Sequence, residues 1–193
     1  MKVSSTENSS LIGQILIATP QMTDPRFMHA VILICGHDHN GAMGLILNRL
    51  VEELSLQDLV DQLDVQADKN TTSAPIPIHF GGPIEIGRGF VLHSTDYVHE
   101  ASIRITSEIA LTSTIEILSL VAQGIGPAKK LLALGYAGWS TGQLEAELQK
   151  NSWLQVESDL ELVFSPYLGE KWQNALSKIG VDPNLLSPEY GHA

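Results

Sequence analysis

Ser140 stands at the centre of Gly138-Trp139-Ser140-Thr141-Gly142, the Gly-x-Ser-x-Gly spacing of a serine nucleophile carried on a strand-to-helix turn. Asp159 or Asp182, followed by His192, would supply the acid and the base in the order Ser–acid–His. The same residues also read as the start of a helix, with Ser140 capping it and Gln143 reaching back. His192 is expected in a frayed tail, and no His-Gly-Gly oxyanion segment is present. The capping role is the reading carried forward.

A second candidate is the pair His37 and His39, separated by Asp38. Alternate residues of a strand face the same way, so the pair could offer two imidazoles to one ion. A catalytic zinc usually takes three protein ligands. The third would have to be His79, His93 or His99, and nothing in the spacing brings one of these there. The segment reads as a polar turn, and neither a metal nor a cofactor is expected. Cys35 ends an apolar run from Ala30, where a thiol behaves as a small inert hydrophobe.

Gly81-Gly82-Pro83 and Gly135-Tyr136-Ala137-Gly138 are the remaining glycine segments. Neither is a phosphate-binding loop: the chain has no Gly-x-x-x-x-Gly-Lys-Ser/Thr, and no Gly-x-Gly-x-x-Gly follows a strand. The second segment has the Gly-x-x-Gly spacing of an RNA clamp but lacks basic residues at its centre. Pro83 after two glycines makes the first a tight turn. Asn48, Arg49 and Arg88 lie beside these segments in sequence. Together with Gly81 and Gly82 they form the candidate ligand or partner surface.

Hydrophobic spacing predicts the elements that would hold these groups. Strands are expected over 11–18, 27–35, 43–48, 76–80, 89–94, 102–106 and 130–136, with a hairpin joining 153–156 to 160–164. Helices are expected after Ser55 (Leu56, Leu59, Val60 and Leu63 inward), after Ser113 (Ile115, Leu118, Val121), after Ser140 and over 166–179. A polar loop is expected over 66–74. Residues 1–10 read as a loose polar tail and not as a leader, and 11–193 as one domain.

Length and composition agree with this. A chain of 193 residues suits one domain of ~100–200 residues. It has 44% hydrophobic and 17% charged residues, as a globular protein does. One cysteine forms no internal disulfide and suits a reducing compartment, so the cytoplasm is expected. Twenty-two acidic residues against 11 basic give a net charge of −11, which repels nucleic acid and anionic membranes. No apolar run approaches the ~20 residues of a membrane span. Oligomeric state has no signature in the residues.

Three segments occur in order: Cys35 through Arg49; Gly81-Gly82-Pro83 with Arg88-Gly89-Phe90-Val91-Leu92-His93; and Gly135 through Leu148 with Trp153. In these the chain resembles the AlgH/YqgE-type proteins, a bacterial family, from about Leu11 onward. The resemblance implies an α+β fold: a mixed, bifurcated sheet curled into a pseudo-barrel with flanking helices, in a single domain. Leu50 departs from the family pattern, which often has Pro there. Members are sometimes labelled transcriptional regulators, without an agreed mechanism.

The function expected is therefore a cytoplasmic, non-catalytic binding or regulatory protein. It would act through a protein partner or a small ligand, and only indirectly on transcription. The runner-up is a small hydrolase or metal-assisted enzyme using Ser140 or His37/His39. Direct DNA binding ranks third, because Lys and Arg are scattered singly apart from Lys129-Lys130.

Overall fold

The computed structural model describes residues 10–62 and 76–182. Among them are ten strands and five helices in one sheet-centred α+β unit. The strands are β1 (Gln14–Ala18), β2 (Val31–Asp38), β3 (Gly41–Ile46), β4 (Leu50–Ser55), β5 (Pro77–Phe80), β6 (Ile84–Ser94), β7 (Ile103–Arg104), β8 (Ile109–Thr112), β9 (Lys130–Ser140) and β10 (Trp153–Glu157). The helices are α1 (Leu56–Gln62), α2 (Ile115–Ala122), α3 (Gln143–Gln149), α4 (Leu160–Phe164) and α5 (Leu168–Lys178).

The sheet runs β10-β1-β2-β3-β9-β6-β8-β7, with neighbours antiparallel. It bifurcates on β9. Leu132–Leu134 pairs in parallel with β5, whereas Ala137–Ser140 pairs antiparallel with β3 on the way to β2. The fork lies at Gly135, which takes φ +70°. A Cβ on Gly82 would overlap the Tyr136 backbone, and one on Gly135 the Gly82 carbonyl, so two chains meet there backbone to backbone. Gly81 completes the junction by donating to Leu134 O (2.8 Å) and accepting from Ile46 N (2.9 Å).

Three buried clusters follow from the curl. The largest fills the concave face under α4 and α5, from Ile15 and Leu33 through Leu92 to Trp172 and Leu176. A second lies under α3 and includes Ile32, Ile34, Trp139 and Trp153. Both indoles there donate to Glu147 Oε2, at 2.9 and 2.7 Å. The third lies under α1 and α2 and includes Val60, Ile78, Val91, Ile117 and Leu132.

Several boundaries differ from the sequence expectation. β2 begins at Val31 and runs on through His37, because Met43 and Ala42 pair with Gly36 and His37. β9 likewise continues past Tyr136 to Ser140 on the strength of its pairing with β3. The expected strand at 102–106 shrinks to β7, with Ile103 exposed and Ile105 buried. β4 and β8 are additional strands. The hairpin at 153–164 is absent: β10 pairs with β1, and Asp159 accepts from Leu162 N (2.7 Å) to open α4. The expectation for Leu63 and for the loop 66–74 lies outside the described residues, as does most of the 1–10 tail. Among the described residues no helix is long and apolar enough to cross a membrane.

Candidate functional site

Ser140 is the last residue of β9 and is exposed. The helix begins at Gln143 with Gly142 (φ +72°) in the cap position, so Ser140 is not the N-cap. Gln143 Oε1 accepts from both the Ser140 backbone N–H (3.0 Å) and its hydroxyl (3.1 Å). One half of a capping box is thus present, and the hydroxyl proton is committed to an amide oxygen. His37 comes to the same end of the sheet with both ring nitrogens engaged. Nδ1 accepts from Leu11 N (3.0 Å), and Nε2 lies 2.9 Å from Glu145 Oε1. It cannot also deprotonate Ser140. Asp159 caps α4, and His192 lies outside the described residues. Among the described residues, no three His, Cys, Asp or Glu side chains converge to hold a metal ion.

Cys35 is buried, with Sγ 3.5 Å from Leu33 O, and burial pushes its thiol up to about 12. The thiolate that would be the nucleophile is therefore scarce at neutral pH.

The five residues of the sequence-expected surface serve separate places. Asn48 Oδ1 accepts from Val31 N (3.0 Å), and its Nδ2 donates to His29 O (2.9 Å). Arg49 donates to Pro25 O (3.3 Å) and Met28 O (2.7 Å), tying down the segment before β2. Gly81 and Gly82 form the sheet junction. Arg88 is exposed on β6, paired with Glu85 (3.2 Å) and lying 5.3 Å from the centre of the Phe90 ring.

Arg88 belongs to an irregular stretch of β6. The β6–β9 register shifts between Ile84 and Gly89, and Glu85 takes a left-handed φ of +46°. Beside this stretch, between α1, α2 and the sheet, is a cavity of about 250 Å³. Leu59, Ile78, Val91, Leu118, Leu132 and Leu134 supply apolar wall, and no lining residue carries a charge. Gly87 and Gly89 contribute no side chain to the space, and a Cβ on Gly87 would meet nothing within 4 Å. Ile115, on the solvent side, is 55% exposed, and nearby in sequence to Gly87 is Ile86 at 66%. Among the described residues, Ile115 stays exposed at the opening.

The polar end of the cavity is Thr112, Ser113 and Thr114. Thr112 is locked in a chain of hydrogen bonds. His99 N donates to Ser102 Oγ (2.9 Å), which lies 2.7 Å from Thr112 Oγ1, itself 2.9 Å from His93 Nε2. His93 Nδ1 donates to Ser94 O (2.9 Å), which makes Nε2 of the neutral ring the acceptor and directs every hydroxyl proton towards His93. Thr114 precedes α2 without capping it by its side chain, and its buried hydroxyl makes no hydrogen bond of regular geometry. Glu116 turns back over the first turn of α2. Its own backbone N–H and then the Thr114 hydroxyl hold its carboxyl below the usual range.

The apolar residues read from sequence on the helix after Ser113 are Ile115, Leu118 and Val121, of which a packing face would be made. In the structure Ile117 and Val121 are that face, whereas Ile115 and Leu118 line the cavity. The available signal was an excess of apolar residues on a short helix, more than one packing face needs.

The sequence profile of the AlgH-like family matches residues 15–184. A UPF0301 protein of Paracoccus denitrificans is 47% identical over 190 residues, spanning 97% of this chain and 99% of that one. The chain belongs to the AlgH-like family. A UPF0301 protein of Rhodospirillum rubrum is 45% identical over 183 residues, spanning 95% of this chain and 94% of that one. The solution structure of AlgH from Pseudomonas aeruginosa superposes with a TM-score of 0.75 at 38% identity, each chain fully covered. The crystal structure of DIP2367 from Corynebacterium diphtheriae gives 0.73 at 18% identity, with 93% of each chain covered, and shows the shared fold. The curled, forked sheet expected from the family resemblance is therefore the observed one.

Proposed function

We propose that this AlgH-like protein is a non-catalytic binding protein of the cytoplasm, and that its ligand site is the cavity between α1, α2 and the sheet. The carrying observation is the cavity itself: about 250 Å³, lined among the described residues by uncharged groups alone, open beside exposed Ile115, and ended by the Ser113 and Thr114 hydroxyls. Such a concave apolar space with a few polar groups is the usual form of a small-molecule site. Catalysis has less support, because the Ser140 hydroxyl and both His37 nitrogens are committed elsewhere. Of the surface expected from sequence, Arg88 lies between the lining residues Gly87 and Gly89 in the chain, with its side chain over Phe90. Asn48, Arg49, Gly81 and Gly82 are assigned to holding the framework.

A net charge of −11 argues against direct contact with nucleic acid, so any effect on transcription would pass through another macromolecule. The single buried Cys35 suits a reducing compartment.

The test is a thermal-shift screen of small molecules against the wild type, Leu118→Trp and Gly87→Phe. Leu118→Trp fills the cavity, and Gly87→Phe adds a ring where the backbone leaves open space. Ligands at about 100 times Kd stabilise the wild type by about 2.7 kcal/mol, a shift of about 5–11 °C, and both variants should lose it. Hits that stabilise all three proteins equally, or that are turned over, would contradict the reading.

A further inference from the structure

A cavity's walls select its ligand by size, and the charges around it select by sign. Every residue lining this one is uncharged. The two helices that roof it contribute Asp58 and Glu116 in their first turns and no basic residue in their last. Glu116 is the nearest of these in sequence to the polar end, two residues from Thr114 and folded back over the start of α2. Arg88, between the lining residues Gly87 and Gly89 in the chain, is already paired with Glu85. The backbone N–H groups at the start of α2 would otherwise favour an anion, but Glu116 has already taken that position.

The hydroxyls at this end differ in what they can still do. Thr112 donates to His93 and accepts from Ser102, so its proton is committed. Ser113 is exposed, and Thr114 turns its hydroxyl proton to the Glu116 carboxyl, which leaves its oxygen to accept. Hydroxyls can meet a neutral oxygen or N–H in a ligand, and neither neutralises a charge. A carboxylate in the cavity would lose its hydration without gaining a cation from the lining. An ammonium would lose its hydration against an uncharged wall.

We infer that the cavity takes a small, neutral, largely apolar molecule, with one hydroxyl or carbonyl group directed to Ser113 and Thr114 at the start of α2. This rests on the cavity being the ligand site. Six linear carbons and one oxygen fit a space of about 250 Å³, so 1-hexanol, hexanoate and hexylammonium form a set that changes charge while keeping the chain.

Each probe is titrated into the full-length protein at pH 7.5 and constant ionic strength, by calorimetry and by methyl-resolved NMR, with Gly87→Phe and Leu118→Trp as controls. The expected result is saturable binding of 1-hexanol that shifts the Leu118 and Val91 methyls, with hexanoate and hexylammonium each weaker by about tenfold or more. Both variants should abolish the 1-hexanol response; Gly87→Phe, which adds its ring in open space, covers the case that Leu118→Trp unfolds. Hexanoate or hexylammonium binding at these methyls as tightly as 1-hexanol would overturn the neutral class and leave the cavity reading standing. No response at these methyls to any of the three would overturn both.

Discussion

A lysine with no exposed surface and a carbonyl for its partner is costly to keep charged. Lys171 of α5 is such a residue, with Nζ donating to Val163 O at 2.8 Å. That carbonyl lies in the last turn of α4, where a cation opposes the helix dipole, so the side chain ties the two helices together. Burial still pulls the ammonium down to about 8. His79 of β5 is 7% exposed, its Nδ1 has no partner, and burial, then the charge of Lys171, pull it down to about 4. Both groups are bases whose folded pKa lies below the unfolded value, so both lower stability when protonated. For His79 the unfolded chain takes a proton near 6.5 and the folded chain only near 4, so stability falls as pH drops through that window. For Lys171 stability rises between about 8 and 10.5, where the unfolded chain alone holds the proton. Urea unfolding of His79→Leu should therefore lose less stability than wild type between pH 6.5 and 4. Lys171→Met should lose the alkaline rise. Parallel pH profiles for wild type and variants would contradict these assignments.

At the scale of elements, the fork in the sheet depends on backbone contact. Gly82 has φ +155° and Gly135 φ +70°; a side chain on Gly82 would enter the Tyr136–Ala137 backbone, and one on Gly135 the Gly82 carbonyl. Gly142 also has a left-handed φ, +72°, but open space around it. Gly142→Ala should therefore cost only the conformational penalty of about 1–2 kcal/mol. Gly82→Ala should cost well over 3 kcal/mol or prevent folding, because backbone must move as well. Equal losses in chemical denaturation would mean that the fork tolerates separation. These glycines were visible in the sequence, and the family resemblance tied them to a bifurcated sheet. Their contact partners were not visible, because Gly82 meets a strand more than fifty positions away. Local signals served best where local physics decides. Ser55, where a helix was expected to start, forms a reciprocal cap with Asp58, whose Oδ2 accepts from Ser55 N at 2.8 Å. They failed where pairing decides: Leu160–Phe164 alternates like a strand, yet Asp159 caps it into a helix and β10 pairs instead with β1.

At the scale of the molecule, different helices cover different parts of the curled sheet, and among the described residues α1 and α2 leave a cavity against it. That cavity had no sequence signature. Leu118 and Ile115 look like core residues in any helical projection, and only the placement of α2 against β6 and β9 turns them to a cavity. The candidate surface read from glycine, Asn and Arg residues instead marked the sheet junction and its supports, which are rich in motif for reasons of packing. The acidic balance of the whole chain bears on what can approach it, and the uncharged cavity on what can enter. Methyl-resolved NMR of the wild-type protein titrated with 1-hexanol tests the central claim most directly. The account predicts saturable shifts concentrated at Leu59, Ile78, Val91, Leu118, Leu132 and Leu134, the walls of that space. Shifts centred on the other two clusters, at Leu33 and Leu92 or at Ile32 and Ile34, would contradict it, as would a response that never saturates.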